Sequence, residues 1–407
     1  MLPPWTDADP LLTAAADRFG TPAYVYVTDR ITARAARLNT DFGRWFRLSY
    51  AVKCNPNVAL LAWLKGCVPL LDVSSIGEVH RAVAAGWSPA DISFTGPAKR
   101  PAELAEALAL GTGDIVLESL DEALALNDLA AAARVKAHVL IRLSPDRVPK
   151  GFGDHMAGRP SPFGIDVEVA ADEVPRIAAL ANLHLAGFHI YSGTQSLKPD
   201  AVVENWRIFI DQFRRFCTLI DLAPQRLVFG SGLGIPHHAG DQPLDTAAIA
   251  AAIGPDLDAL KAEPRFVTTE LVLELGRHLV GEAGVFLTSV LRVKPSRGSK
   301  VVLCDGGMNV HLAATGQFGM VLRRNYLMHR VGGGEETEKV DVHGPLCTSI
   351  DRLASGVELP SLYPGDRIAI YPSGAYGPTA SPQSFISHPE VREILIKDGQ
   401  MFDVTPT

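Results

Sequence analysis

Residues 48–75 read LSYAVKCNPNVALLAWLKGCVPLLDVSS, and their order of textures decides the fold. LSYAVK is a β-prone run that ends at Lys53. Asn-Pro-Asn then breaks the chain, NVALLAWLKG has the apolar spacing of a helix, and PLLDVSS is a second buried strand. A strand, a helix and a strand in so short a span make a βαβ unit. The lysine is the odd member, because lysine is rarely fully buried unless paired. Either it snorkels outward from a strand end, or it is a reactive amine carried on a scaffold strand. Its immediate neighbours leave both readings open.

The same alternation continues along the chain. DISFTG, DIVLES, VLIRLS, LAGFHI and RLVFGSG read as further strands, separated by amphipathic stretches such as IGEVHRAVAAG, RPAELAEALALG and SLDEALALNDLAAAA. Seven or eight such units over roughly 250 residues suit a closed (β/α)8 barrel, with a doubly wound open sheet as the other arrangement. After about residue 275 the texture changes to strands punctuated by Gly and Pro (VFLTSVLRVKPSRGSKVVLCDGG, KVDVHGPLC, YPGDRIAIYPSGAYG), which predicts a mostly antiparallel β domain. The expected organisation is a barrel over 30–275 and a β domain built from 1–29 and 276–407. GGGEETEK (332–339) reads as an exposed loop.

The 407 residues are 47% hydrophobic and 20% charged, ordinary values for a globular protein, with a net charge of −7. That acidity argues against a nucleic-acid or anionic-membrane partner, which needs a basic face. Cys54, Cys67, Cys217, Cys304 and Cys347 are scattered, odd in number and without a CxxC pair, so reduced thiols in a cytoplasm are expected, with no zinc site. The start, MLPPWTDADPLL, does not read as a signal peptide, and no apolar run approaches the ~18 residues of a membrane span.

Four stretches can carry chemistry. VFGSGLGIP (228–236) sets Gly230, Gly232 and Gly234 after an apolar strand, where backbone N–H groups can approach an anion. ELVLELGRHLVGEAG (270–284) sets Glu274 and Arg277 around Gly276 at a strand end. VHGPLCTSIDRLA (342–354) carries Cys347 and Asp351 in a loop opened by Gly and Pro. YPSGAYGPTASP (371–382) flanks Tyr376 with small residues. Taken singly, each also reads as a turn, a surface ion pair, an inert cysteine or a packed tyrosine.

Together and in this order, YAVKCNP, GPLC…D and SGAY resemble the fold-type III pyridoxal-phosphate (PLP) decarboxylases, the diaminopimelate and ornithine decarboxylase family. The resemblance spans nearly the whole chain and implies the barrel-plus-β-domain architecture of alanine racemase. It implies that Lys53 is the Schiff-base lysine, that Asp72 and Ser75 line the cofactor and that Arg142 supports it. It implies that Ser231, Gly232, Gly234, Gly276, Arg277 and Tyr376 hold the phosphate, and that Glu274 faces the pyridine nitrogen. It further implies a homodimer with shared active sites, in which Cys347 from the other subunit protonates the product carbanion and Asp351 contacts substrate. A racemase would place an arginine where Glu274 stands.

Departures from the family pattern bear on substrate. The usual His-x-Gly-Ser segment appears as GFHIYSGTQ (187–195), which assigns ring stacking to Tyr191, the serine place to Thr194 and a nearby contact to His189. The Arg-Pro-x-x-Tyr stretch of diaminopimelate decarboxylases is absent from GGMNVHLAATGQFGM after Asp305, and Thr348 follows Cys347 where they carry glutamate. Asp305 and Thr348 are therefore assigned to substrate, and diaminopimelate is demoted. The variant motifs are most similar to a natural-product branch. It includes antibiotic (butirosin) decarboxylases acting on amino acids tethered to an acyl carrier protein, which implies an aspartyl- or glutamyl-type substrate. Free diaminopimelate, ornithine or lysine is the alternative. In VLRRNYLMHR (321–330), Arg323, Arg324, His329 and Arg330 are expected to meet the carrier or its phosphopantetheine.

Overall fold

The computed structural model describes residues 4–318 and 323–406. Two compact units result, one from 34–235 with 243–276, the other from 1–33, 236–242 and 277–407. The short segment 236–242 groups with the chain termini, an excursion that strand and helix periodicity does not reveal.

The first unit is a closed barrel of eight parallel strands: Phe46–Ala51 (β1), Leu70–Val73 (β2), Ile92–Phe94 (β3), Asp114–Leu117 (β4), Ala137–Ser144 (β5), Leu183–Ile190 (β6), Arg226–Gly230 (β7) and Glu270–Leu275 (β8). Each strand pairs with its neighbours in sequence, and β8 pairs with β1 to close the ring, so the open-sheet arrangement is excluded. Between strands run helices whose starts are fixed locally. The Asn57 side chain caps Val58–Leu64, and the Ser75 and Ser119 hydroxyls cap Ile76–Ala84 and Leu120–Ala133. Inside the ring, Leu70, Val116, Leu140, Ala186, Val228 and Val272 form one buried aliphatic layer. Lys53 and Glu274 stand at the C-terminal strand ends, the end at which barrel enzymes place their chemistry, while Arg226, Asp114 and Glu270 pair at the opposite end.

The second unit is a nine-stranded, mostly antiparallel sheet. Its centre is Ala23–Val27, antiparallel to Gly284–Ser296 and parallel to Arg392–Lys397. Helix Asp9–Phe19 buries Leu12, Ala15 and Ala16 against Val25, Val285, Leu287, Ala369 and Ile394. Among the described residues, no helix is long and apolar enough to cross a membrane.

Candidate active site

Strand β1 ends at Ala51, and a single 3-10 turn, Val52–Cys54, lifts Lys53 past the strand end. Its ammonium lies 4.0 Å from Glu274 Oε1, with the lysine side chain 39% exposed and the glutamate 3%. It also lies 5.5 Å from the centroid of the Tyr191 ring. Glu274 in β8 accepts a 2.9 Å hydrogen bond from His189 Nε2 in β6. Burial favours the neutral forms of both partners. It keeps His189 uncharged, below the usual histidine range. For Glu274 the His189 hydrogen bond and the Lys53 charge outweigh burial and hold the carboxylate below its usual range. Burial likewise penalises the Lys53 ammonium, but Glu274 and Asp72 more than offset it, so the lysine pKa is raised.

Asp72 in β2 is buried, with one oxygen accepting from Ser93 (2.9 Å) and Thr95 (2.5 Å). Burial, then the neighbouring Glu274, raises its pKa. Arg142 in β5 pairs with Glu118 at 3.0 Å and reaches the Tyr191 carbonyl at 3.4 Å. Glu118 also accepts the N–H groups of Gly96 and Gly164, tying two loops, with β5, to the end of β4. This acid was not singled out from sequence, although a glutamate closing the buried run DIVLE is a visible signal.

The Tyr191 ring lies over the end of β7. A Cβ at position 230 would overlap that ring, so only glycine fits there. Thr194 hydrogen-bonds Tyr191. In the glycine loop, the Ser231 N–H donates to the Glu274 carbonyl (3.0 Å) and the Gly234 N–H to the Ser196 carbonyl (2.9 Å). Gly232 has φ +68° and packs on Phe152. Gly276 packs closely on Cys54. The Ser75 hydroxyl oxygen accepts the Glu78 N–H as a helix cap (3.2 Å), which leaves its O–H donor available.

In the second unit, the Arg277 guanidinium stacks 4.7 Å from the Tyr376 ring centroid, and its buried Nε has no hydrogen-bond partner among the described residues. Cys347 is exposed on its loop, beside Thr348. Asp351 and Asp305, expected to contact substrate, are both engaged by the fold. The two Asp351 oxygens accept the N–H groups of Met308 (2.6 Å) and Leu346 (2.8 Å). Asp305 accepts from Thr21 (2.5 Å), Thr288 (2.7 Å) and the Ser289 N–H (2.9 Å). Both acids brace the fold: two backbone donors hold Asp351, and two hydroxyls with one backbone N–H hold Asp305. Of the basic stretch, Val321 and Leu322 lie outside the described residues. Arg324 pairs with Asp241, His329 with Asp9 and Arg330 with Asp366.

The barrel residues suit PLP. Lys53 supplies an amine, Glu274 a buried carboxylate held ionised, and Tyr191 a flat ring beside both. Asp72 Oδ2 and His189 Nδ1 are buried without hydrogen-bond partners among the described residues, as in a site still able to accept polar company. Residues 28–281 match the family model of the pyridoxal-dependent decarboxylases, pyridoxal binding domain. The chain belongs to this family. It is 34% identical over 396 residues to the L-glutamyl-[BtrI acyl-carrier protein] decarboxylase of Niallia circulans, covering 95% of this chain and 91% of that one. It is 32% identical over 393 residues to the diaminopimelate decarboxylase of Methanothermobacter thermautotrophicus, covering 95% and 89%. The crystal structure of diaminopimelate decarboxylase from Helicobacter pylori complexed with L-lysine superposes with a TM-score of 0.85 at 26% identity, covering 97% and 95%. This chain is thus a PLP-dependent amino-acid carboxy-lyase, and the barrel-plus-sheet architecture is the one expected from sequence.

Proposed function

We propose that this decarboxylase removes the α-carboxylate of an aspartyl- or glutamyl-type residue tethered through its side-chain carboxyl to an acyl carrier protein, in a natural-product pathway. The observation that carries the reading is the Cys347 loop. In GPLCTSIDR the one carboxylate, Asp351, has both oxygens on backbone N–H groups, and Thr348 offers no charge. A free diaminopimelate, lysine or ornithine brings a distal ammonium that needs an acid partner. A thioester-tethered acidic residue brings none. The similarity to the glutamyl-carrier decarboxylase supports the same reading.

PLP, when bound, accepts the electron pair left on the α-carbon as CO2 departs. Lys53 would hold the cofactor through its amine. Glu274, kept ionised by His189, would favour a proton on the ring nitrogen. Tyr191 would offer its flat face to the ring, and Arg277 with Tyr376 would take the phosphate. Cys347 of a second subunit gives its thiol proton to the α-carbon, which requires a homodimer. The test is mass spectrometry of the PLP-loaded protein with free aspartate, glutamate, diaminopimelate, ornithine and lysine, and with carrier-tethered aspartyl and glutamyl groups. Loss of CO2 from the tethered substrates is expected. Efficient turnover of free diaminopimelate and none of the thioesters overturns the reading.

A further inference from the structure

The basic stretch after residue 322 resolves into two classes. Arg324, His329 and Arg330 each hold an acid at 2.7–3.0 Å. Arg323 does not. The Asn325 side chain makes two hydrogen bonds to the Ser355 backbone, at 2.8 and 2.9 Å, and so fastens residues 323–325 beside strand Arg352–Pro360. That strand opens with Arg352, which stands opposite His343 in the antiparallel ladder. Arg352 is close enough to Arg323 and to His343 to disfavour the protonated form of each, in addition to the effect of burial.

Arg323 Nη2 and Arg352 Nε are buried and lack any hydrogen-bond partner among the described residues. Two acids face His343, Asp341 and Asp351, and His343 also bonds the Asp351 backbone; neither acid forms an ion pair with Arg323 or Arg352 among the described residues, and Asp341 accepts the Gly356 N–H at 2.9 Å. Asp351, adjacent in sequence to Arg352, is held by its two backbone donors. Leaving buried charged donors unsatisfied is costly, roughly 1–3 kcal/mol each, and two like charges side by side add repulsion. Such a pair is stabilised by an anion with several oxygens, which the planar forks of arginine match well.

We propose that Arg323, Arg352 and His343 form a phosphate-binding subsite that takes the phosphodiester of the phosphopantetheine arm carrying the substrate. This rests on the carrier-tethered reading above. In such a substrate the side-chain carboxyl is masked as a thioester, so the phosphodiester is the anion that the arm itself carries. The subsite sits on the strand that continues directly from the Cys347–Asp351 loop, so it ties recognition of the arm to the segment that delivers the proton.

The test uses the full-length, PLP-loaded protein, so that the cofactor's own phosphate site is filled. The same aminoacyl thioester is offered on phosphopantetheine and on pantetheine. The wild-type protein is expected to favour the phosphorylated form in kcat/KM by about ten- to a hundred-fold, the worth of one or two charged hydrogen bonds. Arg323→Gln with Arg352→Gln brings that ratio to about one, and Arg352→Lys keeps part of it. A ratio unchanged in the double variant overturns the subsite. A second measurement is independent of turnover: inorganic phosphate raises the melting temperature of the wild-type holoenzyme more than that of the double variant. Equal shifts overturn the subsite. If the wild-type protein decarboxylates neither thioester, the carrier reading fails, and the phosphate titration alone decides the subsite.

Discussion

Gly230→Ala tests whether the Tyr191 ring is held where the cofactor needs it. The backbone at 230 is not among the positive-φ glycines, so a methyl group adds no backbone strain there. Its whole effect is collision with Tyr191, whose Cδ2, Cγ and Cα all lie within 3 Å of the new carbon. Over-packing of this kind costs about 1–3 kcal/mol. For a unit of this size that lowers the melting temperature by about 3–10 °C. The displaced ring also loses its place beside Lys53, so cofactor affinity and kcat fall together. The assay is a double-mutant cycle of thermal melts and PLP titrations with Gly230→Ala, Tyr191→Ala and both. In the double variant the ring contacts are gone and only the close approach to the residue-191 Cα is left, so part of its destabilisation disappears. A full, additive loss in the double variant would refute the argument, because the collision would then lie elsewhere.

Three other outcomes follow from the geometry. Because Glu274 raises the Lys53 pKa, the rate of PLP loading of apoprotein should climb through the alkaline range at lower pH in Glu274→Gln than in wild type; coincident profiles contradict the Glu274 pairing. Asp351→Asn puts an NH2 group against a backbone donor, at a cost of about 2–4 kcal/mol. Amide exchange at Leu346 and Met308 should quicken and kcat should fall, whereas unchanged protection there counts against the brace. His311 is buried and neutral, donating to Ser373 Oγ at 2.8 Å, with its pKa pushed down to about 3 by burial. The unfolded chain takes up a proton near pH 6.5 that the folded chain refuses, so this penalty is absent above that pH and grows as pH falls toward 3, reaching roughly 4 kcal/mol. Urea midpoints for His311→Asn should show a shallower acid limb than wild type; identical limbs reject the assignment.

The alternation of textures made the barrel legible, because a strand of four or five apolar residues followed by an amphipathic helix has few other homes. The polar positions that the barrel brings together were legible for a related reason. Lys53, Asp72, Arg142, His189 and Glu274 are polar residues in or beside apolar strands, and such residues stand out against their neighbours. What sequence did not disclose was which polar groups the fold itself uses. Asp305 and Asp351 looked free in one dimension, yet hydroxyls and backbone donors from distant segments engage them. Ser75, expected to line the cofactor, also caps a helix. Arg352 drew no notice beside the Arg323–Arg324 pair, because only the ladder with His343 brings it into that company.

The aliphatic layer of Leu70, Val116, Leu140, Ala186, Val228 and Val272 works as an insulator. On one side of it, at the N-terminal strand ends, Arg226 pairs with Asp114 and Glu270. On the other, at the C-terminal strand ends, Lys53 stands beside Glu274. With aliphatic side chains between them, each cluster has to balance its own charge, which is why the ammonium of Lys53 is answered by Glu274 and not by the acids at the far end of the barrel.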